Sequence, residues 1–205
     1  AVFLCVLDPD DHFLPFKIEV QMRELASQPD LDGLCTSAYV TFDGFVVGFW
    51  ETARSIDLFG RNPFHPSTLM LRRSFLEKHG PFSAHPPLSP EWARFLITQN
   101  SSRIEGYDAA TVKLNLPSAL RPINHAIWRE ERRIIRRWLM THRPVLAARG
   151  LTIGRSLLAR GMPGEAAWCF RAVVETNPGE TTGYVGLAQC ALGRNRPRQA
   201  LKHLA

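Results

Sequence analysis

The sequence predicts an α/β protein in two parts, a mixed region of strands and helices followed by an all-helical segment. An unbroken apolar run at residues 2–7 is typical of a strand buried on both faces, as in the middle of a mostly parallel sheet covered by helices. Alternating apolar and polar residues around Asp43-Gly44 indicate a β-hairpin. The last third of the chain repeats with a period of 34 residues, which is typical of stacked helical pairs.

Composition and charge narrow the class of protein. The net charge of +6 and the pI of about 9.5 favour anionic partners such as nucleotides, nucleic acid or an acidic membrane surface. Four scattered cysteines are typical of reduced, buried thiols in a cytoplasmic protein: Cys5, Cys35, Cys169 and Cys190. The chain begins inside a predicted strand and ends inside a predicted helix, so we expect it to be a window of a longer protein.

An acidic cluster, Asp8-Pro9-Asp10-Asp11, directly follows the first predicted strand. On an extended segment Asp8 and Asp10 point the same way, so they can converge just outside the sheet with Asp11 beside them. Ligands bind at the carboxyl ends of strands in such sheets, and carboxylates suit Mg²⁺ or Mn²⁺ carrying a phosphate-bearing substrate. Aspartates after strands also form turns and bind backbone donors, and the residues alone leave both interpretations open.

The first helix is predicted to start at Pro15 and to end before Pro29, with Ile18, Met22 and Leu25 on its buried face. The hairpin follows over residues 34–50. A loop over residues 61–68 then enters a short apolar strand.

Two further helices are predicted from their terminal residues. Ser74 and Glu77 indicate a capping box at the start of a helix that ends at Gly80. Ser89 is the predicted N-cap of the next helix, with Pro90 as its first residue and three residues on its buried side: Trp92, Phe95 and Leu96. Glu91 therefore lies in a first helical turn, where the helix dipole alone also favours an acid.

The pattern is weak over residues 100–121, and a helix is predicted over residues 123–140. Its apolar side carries Ile127, Ile134, Ile135 and Trp138, and its other side carries arginines at positions 129, 132, 133, 136 and 137. Such a face can bind nucleic acid or anionic lipid at the inner face of a membrane. We favour a solvated face, because Glu130 and Glu131 dilute the charge.

The period in the last third pairs similar residues 34 positions apart: Ile153 with Leu187, Leu158 with Leu192, Pro163 with Pro197, Ala166 with Ala200, and Phe170 with Leu204. Residues 147–205 resemble the tetratricopeptide repeat (TPR) family, with Gly154, Ala166, Phe170 and Pro178 on its signature positions. The chain departs from that pattern at Gly150, where a large aromatic residue is usual, and at Val173, where alanine is usual. The resemblance implies paired helices, whose usual role is to bind a protein partner on a concave face, and a purely architectural role is the alternative.

Residues 1 to about 120 resemble the second half of a family-two glycosyltransferase with a GT-A (Rossmann-like) fold. The family has an apolar strand, Asp-x-Asp-Asp, a proline and a helix containing Glu and Gln, which correspond here to residues 8–11, Pro15, Glu19 and Gln21. The resemblance implies a divalent metal held directly by Asp10, with Asp8 nearer the nucleotide ribose and Asp11 in support. The nucleotide-binding first half of the family has no counterpart, so the sheet is expected to expose an edge.

Family members also place an acidic pair before an aromatic residue at a helix start, and its second acid is the catalytic base. Here the segment is Pro90-Glu91-Trp92, so the resemblance implies that Glu91 is the base. His65 would line the acceptor side, and a structural role is the alternative, since a histidine in a Pro-rich loop is just as often structural. The implied reaction is an inverting transfer of a sugar from a nucleoside diphosphate to a hydroxyl of a glycan, lipid carrier or protein.

The sequence therefore predicts a partial glycosyltransferase domain at residues 1–142 and TPR-like repeats at residues 143–205. We expect this chain alone to be inactive without the missing half. Proline in place of the first acid favours an alternative, an inactive transferase relic that acts as a TPR scaffold.

Overall fold

The computed structural model describes residues 2–52, 57–60, 64–82, 90–115 and 125–204, with the side chains of 90, 91 and 125–127 left out. It is a mixed α/β structure, and its residues cluster into two compact units. Residues 1–58 and 62–128 make the sheet unit, and residues 59–61 and 129–205 make the helical unit. None of the helices in the described ranges is both long enough and apolar enough to cross a membrane.

The sheet unit is built on six strands in the order β1-β5-β3-β6-β2, with β4 also paired to β3. Their bounds are β1 Phe3–Cys5, β2 His12–Phe13, β3 Gly33–Phe42, β4 Phe45–Trp50, β5 Leu69–Arg72 and β6 Ile104–Asn115. Only β3 and β6 run parallel, and the other four pairings within the described residues are antiparallel. The prediction of a mostly parallel sheet is therefore wrong.

Strand β1 lies at an edge of the described sheet and pairs only with β5. Its three residues are half-buried, and Val2, Val6 and Leu7 on either side of it are 69%, 49% and 47% exposed. The prediction of a strand buried on both faces is wrong, because an apolar run records hydrophobicity and not which neighbours cover it.

The hairpin prediction is confirmed. Strands β3 and β4 are joined at Asp43 and Gly44, which have φ angles of 47° and 81°. Positive φ at both central residues is what a tight type I′ turn requires, and Asp-Gly supplies it at low cost. A register shift between Val40 and Thr41 marks a bulge in this pair.

Among the described residues, three α-helices accompany the sheet: α1 Lys17–Ser27, α2 Arg73–His79 and α3 Pro90–Thr98. In α1, Leu25 is buried as predicted, but Ile18 and Met22 are exposed, and Lys17 and Gln21 are buried in their place. The predicted apolar face of α1 is wrong, since the neighbouring turn offers carbonyl groups that polar side chains can bind.

The ends of α2 and α3 test two sequence predictions. Arg72 is the N-cap of α2 and no side chain caps the helix, so the Ser74 and Glu77 capping box is absent, whereas Gly80 ends the helix with a φ of 79°. Helix α3 buries Trp92, Phe95 and Leu96 as predicted. The predicted N-cap Ser89 lies outside the described residues. Strand β6, the longest strand, occupies the segment where the sequence pattern is weak.

The helical unit contains most of α4, His125–Thr141, and four further helices: α5 Arg143–Ala159, α6 Pro163–Thr176, α7 Thr181–Gly193 and α8 Pro197–Leu204. Phe170 on α6 is fully buried between two glycines of neighbouring helices. A Cβ atom on Gly154 or Gly186 would lie 2.8 or 2.6 Å from the Phe170 ring. These glycines let the helix backbones approach the ring closely.

Ion pairs join α4 to the following helices. Glu165, whose side chain is 1% exposed, accepts hydrogen bonds from Arg132 at 2.7 Å and from Arg136 at 2.5 Å. Arg160 pairs with Glu131 at 2.5 Å. Part of the predicted arginine face therefore binds carboxylates within the helical unit.

Candidate metal centre

The acidic cluster forms a tight turn just beyond β1. The backbone N–H of Asp11 donates to the carbonyl of Asp8 at 3.0 Å, which closes the turn over Pro9 and Asp10. Asp10 is exposed at the outside of this turn, Asp8 is half-buried, and Asp11 is buried. The chain is not extended from Asp8 to Asp10, so the expected convergence of those two side chains does not occur.

Asp11 is instead held inside the unit by distant parts of the chain. Its Oδ2 atom accepts a hydrogen bond from the Ser67 hydroxyl at 2.6 Å, and its Oδ1 atom accepts one from the backbone N–H of Asn115 at 3.0 Å. His65 Nδ1 lies 3.5 Å from Asp11 Oδ2, and the two side chains are 5% and 0% exposed. The carboxylate of Asp11 is thus fixed in position from two sides.

A single 3₁₀ turn, Pro66–Thr68, positions the residues opposite the acidic turn. The N–H and the hydroxyl of Thr68 both donate to the carbonyl of His65, at 2.8 and 2.7 Å. The N–H of Asp8 donates to the Ser67 hydroxyl at 3.0 Å, so Ser67 joins both aspartates. The ring of Trp50 lies edge-on to His65 with a centroid separation of 6.1 Å.

Helix α1 holds this 3₁₀ turn from behind. Lys17 Nζ and Gln21 Nε2 donate to the Thr68 carbonyl at 3.3 and 3.0 Å, and Gln21 also donates to the carbonyl of Leu34. Lys17 Nζ further donates to Gln21 Oε1 at 2.5 Å. Burial lowers the pKa of Lys17 from 10.5 to about 8, against the smaller opposing effect of Cys5 and Cys35. A positive charge is therefore retained there at neutral pH.

The donor atoms fit a divalent cation. Asp8, Asp11 and His65 each offer one ligand atom, and these atoms all lie within 4.8 Å of one another. Two carboxylate oxygens with one imidazole nitrogen suit Mn²⁺ or Zn²⁺, and Mg²⁺ accepts the oxygens but favours an all-oxygen shell. The same groups can also form an ion pair if His65 is protonated.

The structure therefore brings together Asp8, Asp11 and His65 and leaves Asp10 outside the group. Glu91 lies in the first turn of α3, and its side chain lies outside the described residues. Sequence reasoning missed Ser67, because its bond to Asp11 spans 56 residues and no local pattern marks it. It also missed the hydrogen bond from Lys17 to the Thr68 carbonyl, although the sequence shows a lysine two residues after Pro15.

Comparison with known proteins does not assign the chain to a family. No protein-family model matches the chain, and the search of curated proteins found no match.

Proposed function

We propose that the chain belongs to a metal-dependent, inverting glycosyltransferase that moves a sugar from a nucleoside diphosphate to an acceptor hydroxyl. The observation that carries the proposal is the group formed by Asp8, Asp11 and His65 beyond the end of β1. Carboxylate and imidazole ligands suit a divalent cation that accompanies a diphosphate. The resemblance of residues 8–11 and 90–92, in that order, to family-two glycosyltransferases supports the same reaction class.

Each residue has a stated part in this proposal. Asp8, Asp11 and His65 hold the cation, and Asp10, exposed at the outside of the turn, is not one of its ligands. When bound, a Mn²⁺ or Mg²⁺ ion neutralises the charge that develops on the leaving diphosphate. Glu91 takes the proton from the acceptor hydroxyl.

Supporting residues keep the ligands in position. Ser67 fixes Asp11 through its hydroxyl, and α1 fixes the 3₁₀ turn through the Thr68 carbonyl. Ligands whose partners hold them before the cation arrives lose little conformational freedom on binding, which raises affinity.

Direct measurement of Mn²⁺ binding to the whole chain tests the site. Electron paramagnetic resonance counts free Mn²⁺ during a titration with the protein, in the presence and absence of uridine diphosphate. We expect Asp11→Asn and His65→Gln each to weaken binding at least about tenfold, by analogy with the loss of a metal ligand or its partner. Asp43→Asn, the same chemical change in the hairpin turn, is the matched control and should bind normally.

The Asp10→Asn variant distinguishes the ligand set seen in the structure from the ligand set that the family resemblance implies. The geometry predicts little change in Mn²⁺ affinity, whereas a direct ligand at Asp10 predicts a large loss. If Asp10→Asn abolishes binding while a folded Asp11→Asn chain retains it, the assigned ligand set is wrong. The reaction is then tested by measuring nucleotide-sugar turnover by the protein expressed at its full natural length and by its Glu91→Gln variant. A folded protein that shows neither Mn²⁺ binding nor turnover contradicts the proposal.

A further inference from the structure

The helical unit contains a groove with an apolar floor and a charged rim. It encloses about 530 Å³ and is lined by residues of α4, α5 and α6. Leu139 and Leu146 are buried in its lining, and Met140 and Trp168 are 65% and 38% exposed. A volume of this size accommodates one or two large side chains of a partner.

The rim of the groove carries a positive charge that the described residues do not neutralise. Arg143 and Arg171 line it together with one acid, Glu175. Both arginines are exposed, and neither forms an ion pair within the described part of the chain. Residues 129–205 contain 14 Arg and Lys against 5 Glu and no Asp, which corresponds to a net charge of +9.

The acids of the helical unit are largely engaged elsewhere. Glu165 binds Arg132 and Arg136, Glu131 binds Arg160, and Glu130 binds Arg133. Apart from Glu175, no described acid lines the groove, so a partner can supply the carboxylates that pair with Arg143 and Arg171. Complementary charge around an apolar anchor is the usual way to give such a site both specificity and speed of association.

We propose that this groove binds an acidic peptide segment of a partner protein, with one apolar or aromatic side chain of the peptide seated against Trp168. Carboxylates on either side of that anchor pair with Arg143 and Arg171. Aromatic and arginine side chains dominate the energetics of protein interfaces, and here they occur together. This inference does not depend on the metal centre, which lies in the sheet unit.

A peptide fits the groove better than a nucleic acid backbone does. The lining contains Leu139, Leu146, Ala147 and Ala172, which offer apolar contact and no hydrogen bonds to phosphate oxygens. Glu175 on the rim can accept a hydrogen bond from a peptide N–H, which a DNA backbone does not offer. Single-stranded nucleic acid is therefore a comparison in the test.

Fluorescence anisotropy with the whole chain tests the proposal. The probes are short fluorescein-labelled peptides with one central Phe, Leu or Trp between runs of Glu, with counterparts that carry Lys flanks or a central Ala. We expect the acidic, anchored peptides to bind, and both counterparts to bind at least about tenfold more weakly. Trp168→Ala and Arg171→Glu should each reduce affinity by a similar factor.

Arg198→Glu is the matched control, because it makes the same change of charge in the helical unit at an exposed residue outside the groove lining. Little or no effect of Arg198→Glu, beside a strong effect of Arg171→Glu, supports the proposal. Equal losses from the two variants would show attraction to overall charge and overturn it. Absence of binding to every acidic peptide, or tighter binding of oligothymidine or anionic vesicles than of any peptide, also overturns it.

Discussion

Lys17 provides the most direct test of the structural support behind the candidate metal centre. Its side chain is 0% exposed, and its ammonium group donates to Gln21 Oε1 and to the Thr68 carbonyl. Burial lowers its pKa from 10.5 to about 8. Between these two values the unfolded chain holds a proton that the folded chain has released. The free energy of unfolding should therefore rise with pH across this window.

The size of the effect follows from the two pKa values. Each pH unit between them contributes about 1.4 kcal/mol, so the full difference corresponds to about 3.5 kcal/mol. About 2.5 kcal/mol of this develops between pH 7 and pH 10. Cys35 acts in the opposite direction, because burial raises its pKa to about 11 and stability then falls as the unfolded thiol ionises above its ordinary pKa of 9.0. A comparison that retains Cys35 in both chains removes most of this contribution, because the charge of Lys17 is the smallest of the causes that set the pKa of Cys35.

Lys17→Met is the matched comparison, since methionine keeps much of the side-chain volume and does not titrate. Urea unfolding of both chains is followed by far-ultraviolet circular dichroism at pH 7 and at pH 10. We expect the stability of the wild-type chain, relative to the variant, to increase by about 2.5 kcal/mol over this range. Parallel pH profiles of the two chains would refute the reasoning, because they would mean that Lys17 titrates normally in the folded state.

Three further predictions concern the packing of each unit. Burial raises the pKa of Glu165, but hydrogen bonds from Arg132 and Arg136 outweigh it and lower the pKa overall. Glu165→Gln should therefore reduce the free energy of unfolding, measured by urea titration, by about 2 kcal/mol at pH 7. This loss should become smaller as the pH falls below the ordinary carboxyl pKa. Glu175→Gln on the same helix is the control and should change the free energy of unfolding little. Gly186→Ala should lower the melting temperature, because its Cβ would lie 2.6 Å from the Phe170 ring. In a double-mutant cycle, adding Phe170→Leu to Gly186→Ala should recover about 1 kcal/mol of the lost free energy of unfolding. Gly164→Ala is its control, with the nearest atom at 3.8 Å, and a neutral or stabilising effect is expected there. Arg72 donates to the carbonyls of Leu25, Gln28 and Leu31 at and just beyond the end of α1. Arg72→Lys should therefore lower the free energy of unfolding by about 1–2 kcal/mol and speed hydrogen exchange in the last turn of α1. Unchanged exchange there would contradict this role.

Local chemistry in the sequence was enough to predict several elements. Asp43-Gly44 specified the hairpin, because few residue pairs adopt positive φ at both turn positions without strain. Pro90 and the apolar spacing after it specified α3 and its buried face. Gly80 specified the end of α2. Each of these features depends on the backbone preferences of neighbouring residues, which the sequence displays directly.

The candidate site was predicted only in part from the sequence. The sequence singled out Asp8, Asp11 and His65, and the structure brings their ligand atoms together. It also favoured Asp10, which the turn closed by Asp11 places outside the group. A strict alternation of side chains holds only for an extended chain, and a turn at Pro9 ends that alternation.

Tertiary structure alone decided which polar residues are buried and which strands are neighbours. Lys17 and Gln21 face inward because the Thr68 carbonyl lies opposite them, about 50 residues away along the chain. Strand β1 lies at an edge because β5 is its only partner among the described strands, and β6 is a long strand because β3 provides a parallel partner. The hydrogen bond from Asn115 to Asp11 spans 104 residues. The sequence by itself determined the local elements and pointed to the region of the candidate site. Which residues form the ligand group, and how they are buried and oriented, depends on partners that only the folded chain brings within hydrogen-bonding distance.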